Sequence, residues 1–350
     1  MGGGGGGPID VRLTRDVLPY NPTVITICLG MNDGSYRAFD QRIFDTYVNG
    51  YRHILDRLRK ELPAARITIL TAPAYDDVTR QPGFPGGYNA TLKRYGEAVT
   101  ALAMEYHAAL ADTNAPLVDA LTKAKELDAT MAAKLIADRV HPGPGGHMVM
   151  AAAVLKAWNA PAVVADVSID ASRRRVTTQA NGTVRKLKLT DTGLSFTELD
   201  RALPWPLDRD PGRNVDMLLA LKATNWESML NSYQLKVVGL PAGDYTLKVD
   251  GVNVTRVTSA DLSAGVDLAA LPDLPTSRQS QQVLSLLRQH NDLHFRRWRT
   301  VQFPVSRNNE PVPSGVKTQM DELDRQDTEA AESAHTASQP KAHTFELTRG

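Results

Sequence analysis

Thr23-Val24-Ile25-Thr26-Ile27-Cys28-Leu29, followed at once by Gly30-Met31-Asn32-Asp33-Gly34, is the stretch from which the rest of the chain can be placed. The first seven residues are apolar or β-branched with no clean alternation, the pattern of a strand buried on both faces of a parallel sheet. Gly30 ends it, and Asn, Asp and Gly suit the turn that follows. Downstream, Phe39, Ile43, Tyr47, Tyr51, Ile54, Leu55 and Leu58 recur at helical spacing and stop before Pro63. Residues 66–71 read as a second strand, and Leu92, Tyr95, Val99, Leu102, Tyr106 and Leu110 as a second helix. Residues 116–119 read as a short third strand, 120–137 as a third helix, and Gly145 to Trp158 as a last one. Alternating strands and helices predict a parallel sheet covered on both faces. Ligands in such sheets sit at the carboxyl ends of the strands, where Gly30–Gly34 and Pro73–Asp77 fall.

The 350 residues exceed one ordinary domain. Forty Lys and Arg against 39 Asp and Glu leave a net charge of +1, which gives no electrostatic argument for a nucleic-acid partner. A single cysteine, Cys28, excludes a disulfide within the chain; placed mid-strand, it is expected to be a buried, inert thiol. No apolar run approaches the roughly 18 residues of a membrane span. No signal peptide is legible in this chain, so its compartment is left open. The six glycines 2–7 fit either a flexible leader or the tail of a glycine-rich loop.

After Pro161 the pattern changes to short alternating runs, with Asn181-Gly182 and Asp250-Gly251 as hairpin-turn signals. The expected organisation is an α/β domain over 1–162 and a β-rich module over 163–275 containing a helix near Val215–Met229. A C-terminal helix over 276–303 and a disordered tail over 304–350 follow. The tail assignment rests on 326–341, which contains no Val, Ile, Leu, Met, Phe, Tyr or Trp.

Two segments carry chemistry. An Asn amide directly after a buried strand, as at Asn32, can stabilise a developing oxyanion, although the same residues suit a plain turn. In Asp138-Arg139-Val140-His141-Pro142, a carboxylate three residues before an imidazole can fix its tautomer and leave the other nitrogen as a general base. Here too a capped turn with a surface histidine is the ordinary alternative.

Taken together and in this order, G-x-N-D at Gly30–Asp33 and D-x-x-H at Asp138–His141 resemble the SGNH (GDSL-type) hydrolases. The resemblance spans roughly residues 8–160. It implies a flavodoxin-like three-layer α/β/α domain that hydrolyses carboxylic esters through an acyl-enzyme, with no metal or organic cofactor. Asn32 would be the side-chain oxyanion donor, His141 the general base and Asp138 its orienting partner; one of Gly2–Gly7 would supply a backbone donor. Gly30, Asp33 and, after the second strand, Tyr75 and Asp76 are candidates to line the substrate cleft, with an ordinary polar loop as the alternative for Tyr75–Asp77; the substrate would be a small-molecule or carbohydrate ester.

The departure is the nucleophile. The family carries its serine in a G-D-S motif on the first strand, but this chain contains no Gly-Asp-Ser, and no serine precedes Ser35. The first strand and its serine are therefore expected to be missing from this chain. Ser35 is a weak substitute, because one short loop can hardly present both the oxyanion donor and the nucleophile to the same carbonyl. The rival reading is a non-catalytic binding protein or inactive remnant. His290 and His294, one helical turn apart, have no evident third metal ligand, and Arg296, Arg297 and Arg299 read as a solvated helix face.

Overall fold

In the computed structural model, residues 7–210, 212 and 214–350 are described. The described residues fall into two units, each treated by itself: those within 7–160, 208–226 and 298–316, and those within 161–207, 227–297 and 317–350.

The first unit is built on a parallel sheet. The β-branched run Val24–Cys28 (β1) pairs with Arg66–Leu70 (β2), Val24 opposite Arg66 and Cys28 opposite Leu70, and β2 pairs with Ala109–Ala111 (β3). The helix Gln41–Glu61 begins where the Asp40 carboxylate accepts the Ile43 N–H at 3.1 Å, satisfying one of the free donors of a first helical turn. Its apolar stripe, Tyr47, Tyr51, Ile54, Leu55 and Leu58, is buried with Ile27, Ile67 and Ile69 of the sheet. The Tyr47 and Tyr51 hydroxyls donate to the carbonyls of Leu29 and Ile27, tying the helix to the end of β1.

Four local expectations are corrected here. The apolar run at 116–119 belongs to the helix Ala115–Leu127, and the third strand lies earlier, at β3. Pro116 sits in the first helical turn, where its missing N–H costs nothing, and Leu117, Ala120, Leu121 and Ala124 bury one face. The second helix, Gly87–Glu105, stops short of Leu110, with His107 in the left-handed region at φ 49° before β3. The expected third helix is interrupted at Asp128, whose side chain accepts the Thr130 and Met131 N–H groups and starts a separate turn. Cys28, expected to be buried, is exposed, since β1 is an outer strand of this sheet among the described residues.

The helix Val215–Ala223, expected in the β-rich module, belongs to the first unit. It packs on the helix Pro144–Ala157, and Asp216 accepts the Gly145 N–H at 2.8 Å.

The second unit holds two sheets. Val163–Asp170 (β4), Arg175–Ala180 (β5), Ser232–Val238 (β8) and Val266–Asp267 (β11) form one, in the order β11-β8-β4-β5. Gly182–Thr190 (β6), Gly193–Asp200 (β7), Asp244–Val249 (β9), Val252–Thr258 (β10) and Ala342–Arg349 (β12) form the other, in the order β10-β9-β12-β7-β6. Asp250-Gly251 is the expected tight hairpin, with φ 50° and 78° between β9 and β10. Asn181-Gly182 is not: there the chain leaves one sheet for the other, and the Asn181 amide donates to the carbonyls of Val163 and Val164.

The tail is also corrected. Ser314–Ala337 is helical, and β12 lies inside the five-stranded sheet between β9 and β7. Ala330 and Ala334 are small enough to bury without large side chains, and alanine and glutamate favour the helix. In β12 Phe345 and Leu347 alternate inward, Phe345 stacking on Phe196 with ring centroids 5.0 Å apart.

Glu198 and Asp200 follow Leu194 and Phe196 on the inward face of β7 and are 2% and 6% exposed. The Tyr233 hydroxyl donates to Asp200 at 2.6 Å, and the Glu198 carboxyl lies against the same Asp200 carboxylate. Burial, then the Asp200 charge, pushes the Glu198 carboxyl far above the ordinary glutamate range, so the fold holds it protonated. A folded-state value raised above the unfolded one stabilises fully below the unfolded value and is lost as pH rises. Glu198→Gln is therefore expected to stabilise this unit at pH 8 by about 1–3 kcal/mol and hardly at all at pH 4, read from chemical denaturation. Equal effects at both pH values would mean that Glu198 takes up no proton on folding.

Candidate active site

The turn after β1 is fixed by two glycines and a carboxylate. Gly30 has φ 126°, and a Cβ there would lie 3.3 Å from the Ala72 Cβ and 3.4 Å from the Tyr47 hydroxyl. A Cβ on Gly34 would fall 2.5 Å from the Tyr88 hydroxyl, which itself donates to the Met31 carbonyl at 2.6 Å. Asp33 accepts the Gly30 N–H at 3.0 Å, and burial raises its carboxyl. It also lines a cavity with Arg42, Ile43, Thr46 and Tyr47.

Ser35 and Tyr36 are consecutive non-glycine residues in the left-handed region, at φ 57° and 55°. That conformation costs about 1–2 kcal/mol per residue. It returns the Tyr36 hydroxyl to its own loop, where it donates to the Asn32 side-chain oxygen. The Asn32 Nδ2 group then has no hydrogen-bond partner among the described residues. Rings of Tyr75 and Tyr88 hold Tyr36, with centroids 6.0 and 5.1 Å from it.

In the second segment Asp138 works with both oxygens. Oδ1 accepts the N–H groups of Val140 at 2.9 Å and His141 at 2.8 Å; Oδ2 lies 2.6 Å from the His141 Nδ1. The hydrogen bond from the His141 ring, then those from the His141 and Val140 backbone, hold the Asp138 carboxyl well below the usual carboxylate range. The imidazole is 81% exposed, and its Nε2 has no hydrogen-bond partner among the described residues. Arg139, at φ 73°, places its guanidinium 5.5 Å from the Tyr75 ring centroid. The Asn32 loop and the Asp138–His141 loop thus meet through Tyr36, Tyr75 and Arg139, where burial, then the neighbouring Tyr75 and Asp138, raises the Tyr36 hydroxyl's pKa.

Tyr75 stands at this junction, between Tyr36 and Arg139. Asp76 is wholly buried, with its carboxylate taken up by Val78, Thr79 and Arg80, so it cannot line a cleft. Of the glycines considered as backbone donors, Gly2–Gly6 lie outside the described residues. Tyr36, Tyr88, Arg80 and Arg139 were not singled out from the sequence, because loop conformation alone brings them to the site. Among the described residues, no three His, Cys, Asp or Glu side chains are grouped to hold a metal ion, and no helix is long and apolar enough to cross a membrane.

Residues 4–149 match the GDSL-like lipase/acylhydrolase family. An acetylxylan esterase from Geobacillus stearothermophilus is 30% identical over 152 residues, which make up 42% of this chain and 64% of that protein. This chain therefore spans just under two thirds of the length of that relative. Among solved structures, a gut microbial diltiazem-metabolizing enzyme is similar with a TM-score of 0.81 at 24% identity, over 97% of this chain and 86% of that one. That likeness extends to both the α/β and the β-rich parts of the fold.

Proposed function

From the match of residues 4–149 to the GDSL-like lipase/acylhydrolase family we propose that the protein hydrolyses carboxylic esters through Ser-His-Asp chemistry. The observation that carries this reading is the Asp138–His141 pair: one carboxylate binds both the ring and the backbone of the same histidine, 2.6 Å from Nδ1. With Nδ1–H donated to Asp138, Nε2 is the basic nitrogen and takes the proton of the attacking hydroxyl. Asn32 Nδ2 donates to the carbonyl oxygen as it becomes an oxyanion, and the acyl-enzyme is then hydrolysed by water activated at the same imidazole.

This reading assigns the nucleophile to none of the described serines. Ser35 is disfavoured because its backbone N–H is tied to the Asn32 carbonyl within one turn, on the same loop as the oxyanion donor. The substrate is a small acyl ester or an acetyl group on a carbohydrate, the latter supported by the acetylxylan esterase relative.

The test is p-nitrophenyl acetate hydrolysis. The 350-residue chain is expected to turn it over no faster than its own His141→Ala variant, while a form preceded by a serine-bearing strand gains hydrolysis that His141→Ala abolishes. Fast, His141-dependent turnover by the 350-residue chain would place the nucleophile within it, to be found by substituting each serine in turn.

A further inference from the structure

His141 and Asp138 are exposed, so their own packing cannot hold them in register; something beneath the loop must. The loop after β2 supplies it. Asp76, wholly buried, accepts the N–H groups of Val78 at 3.1 Å and Thr79 at 2.8 Å, the Thr79 hydroxyl, and Arg80 Nη1 at 2.8 Å. The backbone N–H of Asp76 donates to the Arg139 carbonyl at 3.0 Å. The Arg80 guanidinium, held by that carboxylate, donates onward to the carbonyls of Ile136 at 3.0 Å, Ala137 at 2.7 Å and Ala133 at 3.4 Å. These carbonyls end the turn Ala133–Ile136 and belong to the residue directly before Asp138; the Ile136 carbonyl also accepts the Arg139 N–H at 3.0 Å.

We propose that the buried Asp76–Arg80 pair is a positioning brace for the Asp138–His141 base, gripping the backbone on both sides of Asp138 and so keeping its carboxylate under the imidazole. The proposal rests on the reading of Asp138 and His141 as a catalytic pair. Ala137 and Arg139, the residues flanking Asp138, each give their carbonyl to the brace. Asp138 is then free to spend both carboxylate oxygens on Val140 and His141, and Arg139 can hold its left-handed conformation. A planar guanidinium suits the task, because one group serves a carboxylate and three carbonyls in a fixed fork. An ammonium can keep the charge pair but cannot keep that geometry.

The experiment follows the Asp138 side-chain carboxyl by carbon-detected NMR titration in the 350-residue chain, with no activity needed. The charged groups facing that carboxyl are His141, the neighbouring Arg139 and, across the junction, the Tyr36 hydroxyl; all stay in place in every variant. In the wild type, Asp138 remains ionised well below the usual carboxylate range. Arg80→Lys, which still neutralises Asp76, is expected to raise the Asp138 midpoint by about one pH unit, a tenfold change in proton affinity. Should the lysine variant not fold, the double variant Arg80→Gln/Asp76→Asn strands no buried charge and should give the same shift. Lys125→Ala is the control: it removes a 2.7 Å bond to the Val78 carbonyl on the same loop without touching the 133–139 carbonyls, and should leave Asp138 unmoved. An Asp138 midpoint unchanged by the Arg80 variants, or moved equally by Lys125→Ala, overturns the brace and leaves the esterase reading intact. An ordinary Asp138 midpoint in the wild type overturns the brace together with the catalytic pairing.

Discussion

In a form of the protein supplied with a serine-bearing strand, Asp138→Asn is expected to lower kcat about 10⁴-fold, His141→Ala at least as far, and the double variant hardly further than His141→Ala. The size follows from what the asparagine reverses. Asp138 Oδ2 accepts from the imidazole Nδ1 at 2.6 Å, leaving Nε2 as the lone-pair nitrogen; an Asn amide donor in that place favours the opposite tautomer, with the proton on the nitrogen that must act as base. Once His141 is gone there is no ring to orient, so Asp138 has nothing left to lose. Because its hydrogen bonds hold Asp138 below the usual carboxylate range, its titration should add no inflection to the kcat/KM profile above about pH 4. Single-variant losses that multiply in the double variant would show that the two residues do not share one proton path.

The contact between Asp138 and His141 was legible in the sequence because both partners lie within four residues and need only a local turn. The same holds for the turn after β1, where Gly30 and Asp33 close on each other within three residues. What failed to read through depends on contacts between distant segments. Residues 116–119 are apolar enough for a strand, and Pro116 suits a first helical turn equally well; burial of Leu117, Ala120, Leu121 and Ala124 decides for the helix. Asn181-Gly182 supplies the left-handed conformation of a tight turn, but which sheet β6 joins is set by its pairing with β7. The segment 326–341 lacks large apolar residues because Ala330 and Ala334 do the burying in its helix. Asp76 shows the limit most clearly. A polar residue after a strand end reads as cleft lining, whereas its carboxylate points inward to a guanidinium whose other partners lie more than fifty positions away.

Asn32→Ala is the second large effect, an expected loss of about 10²–10³-fold in kcat with KM nearly unchanged. The amide is exposed, its oxygen is occupied by the Tyr36 hydroxyl, and the Nδ2 donors have no partner among the described residues, so they are available to an oxyanion. A donor that meets the carbonyl oxygen chiefly after it has become charged contributes to the transition state and not to ground-state binding, which is why the loss falls on kcat. Tyr36 separates this role from that of a plain turn. Two successive left-handed residues are an unfavourable way to close a loop, and here they deliver the hydroxyl that fixes which end of the amide faces outward. Tyr36→Phe keeps the ring between Tyr75 and Tyr88 but frees the amide to rotate, so it should lower kcat by a smaller factor than Asn32→Ala, and have little further effect once Asn32 is already alanine. If Asn32→Ala left kcat intact, Gly30–Gly34 would be a structural turn alone, and the strain at Ser35 and Tyr36 would have to serve something other than the oxyanion.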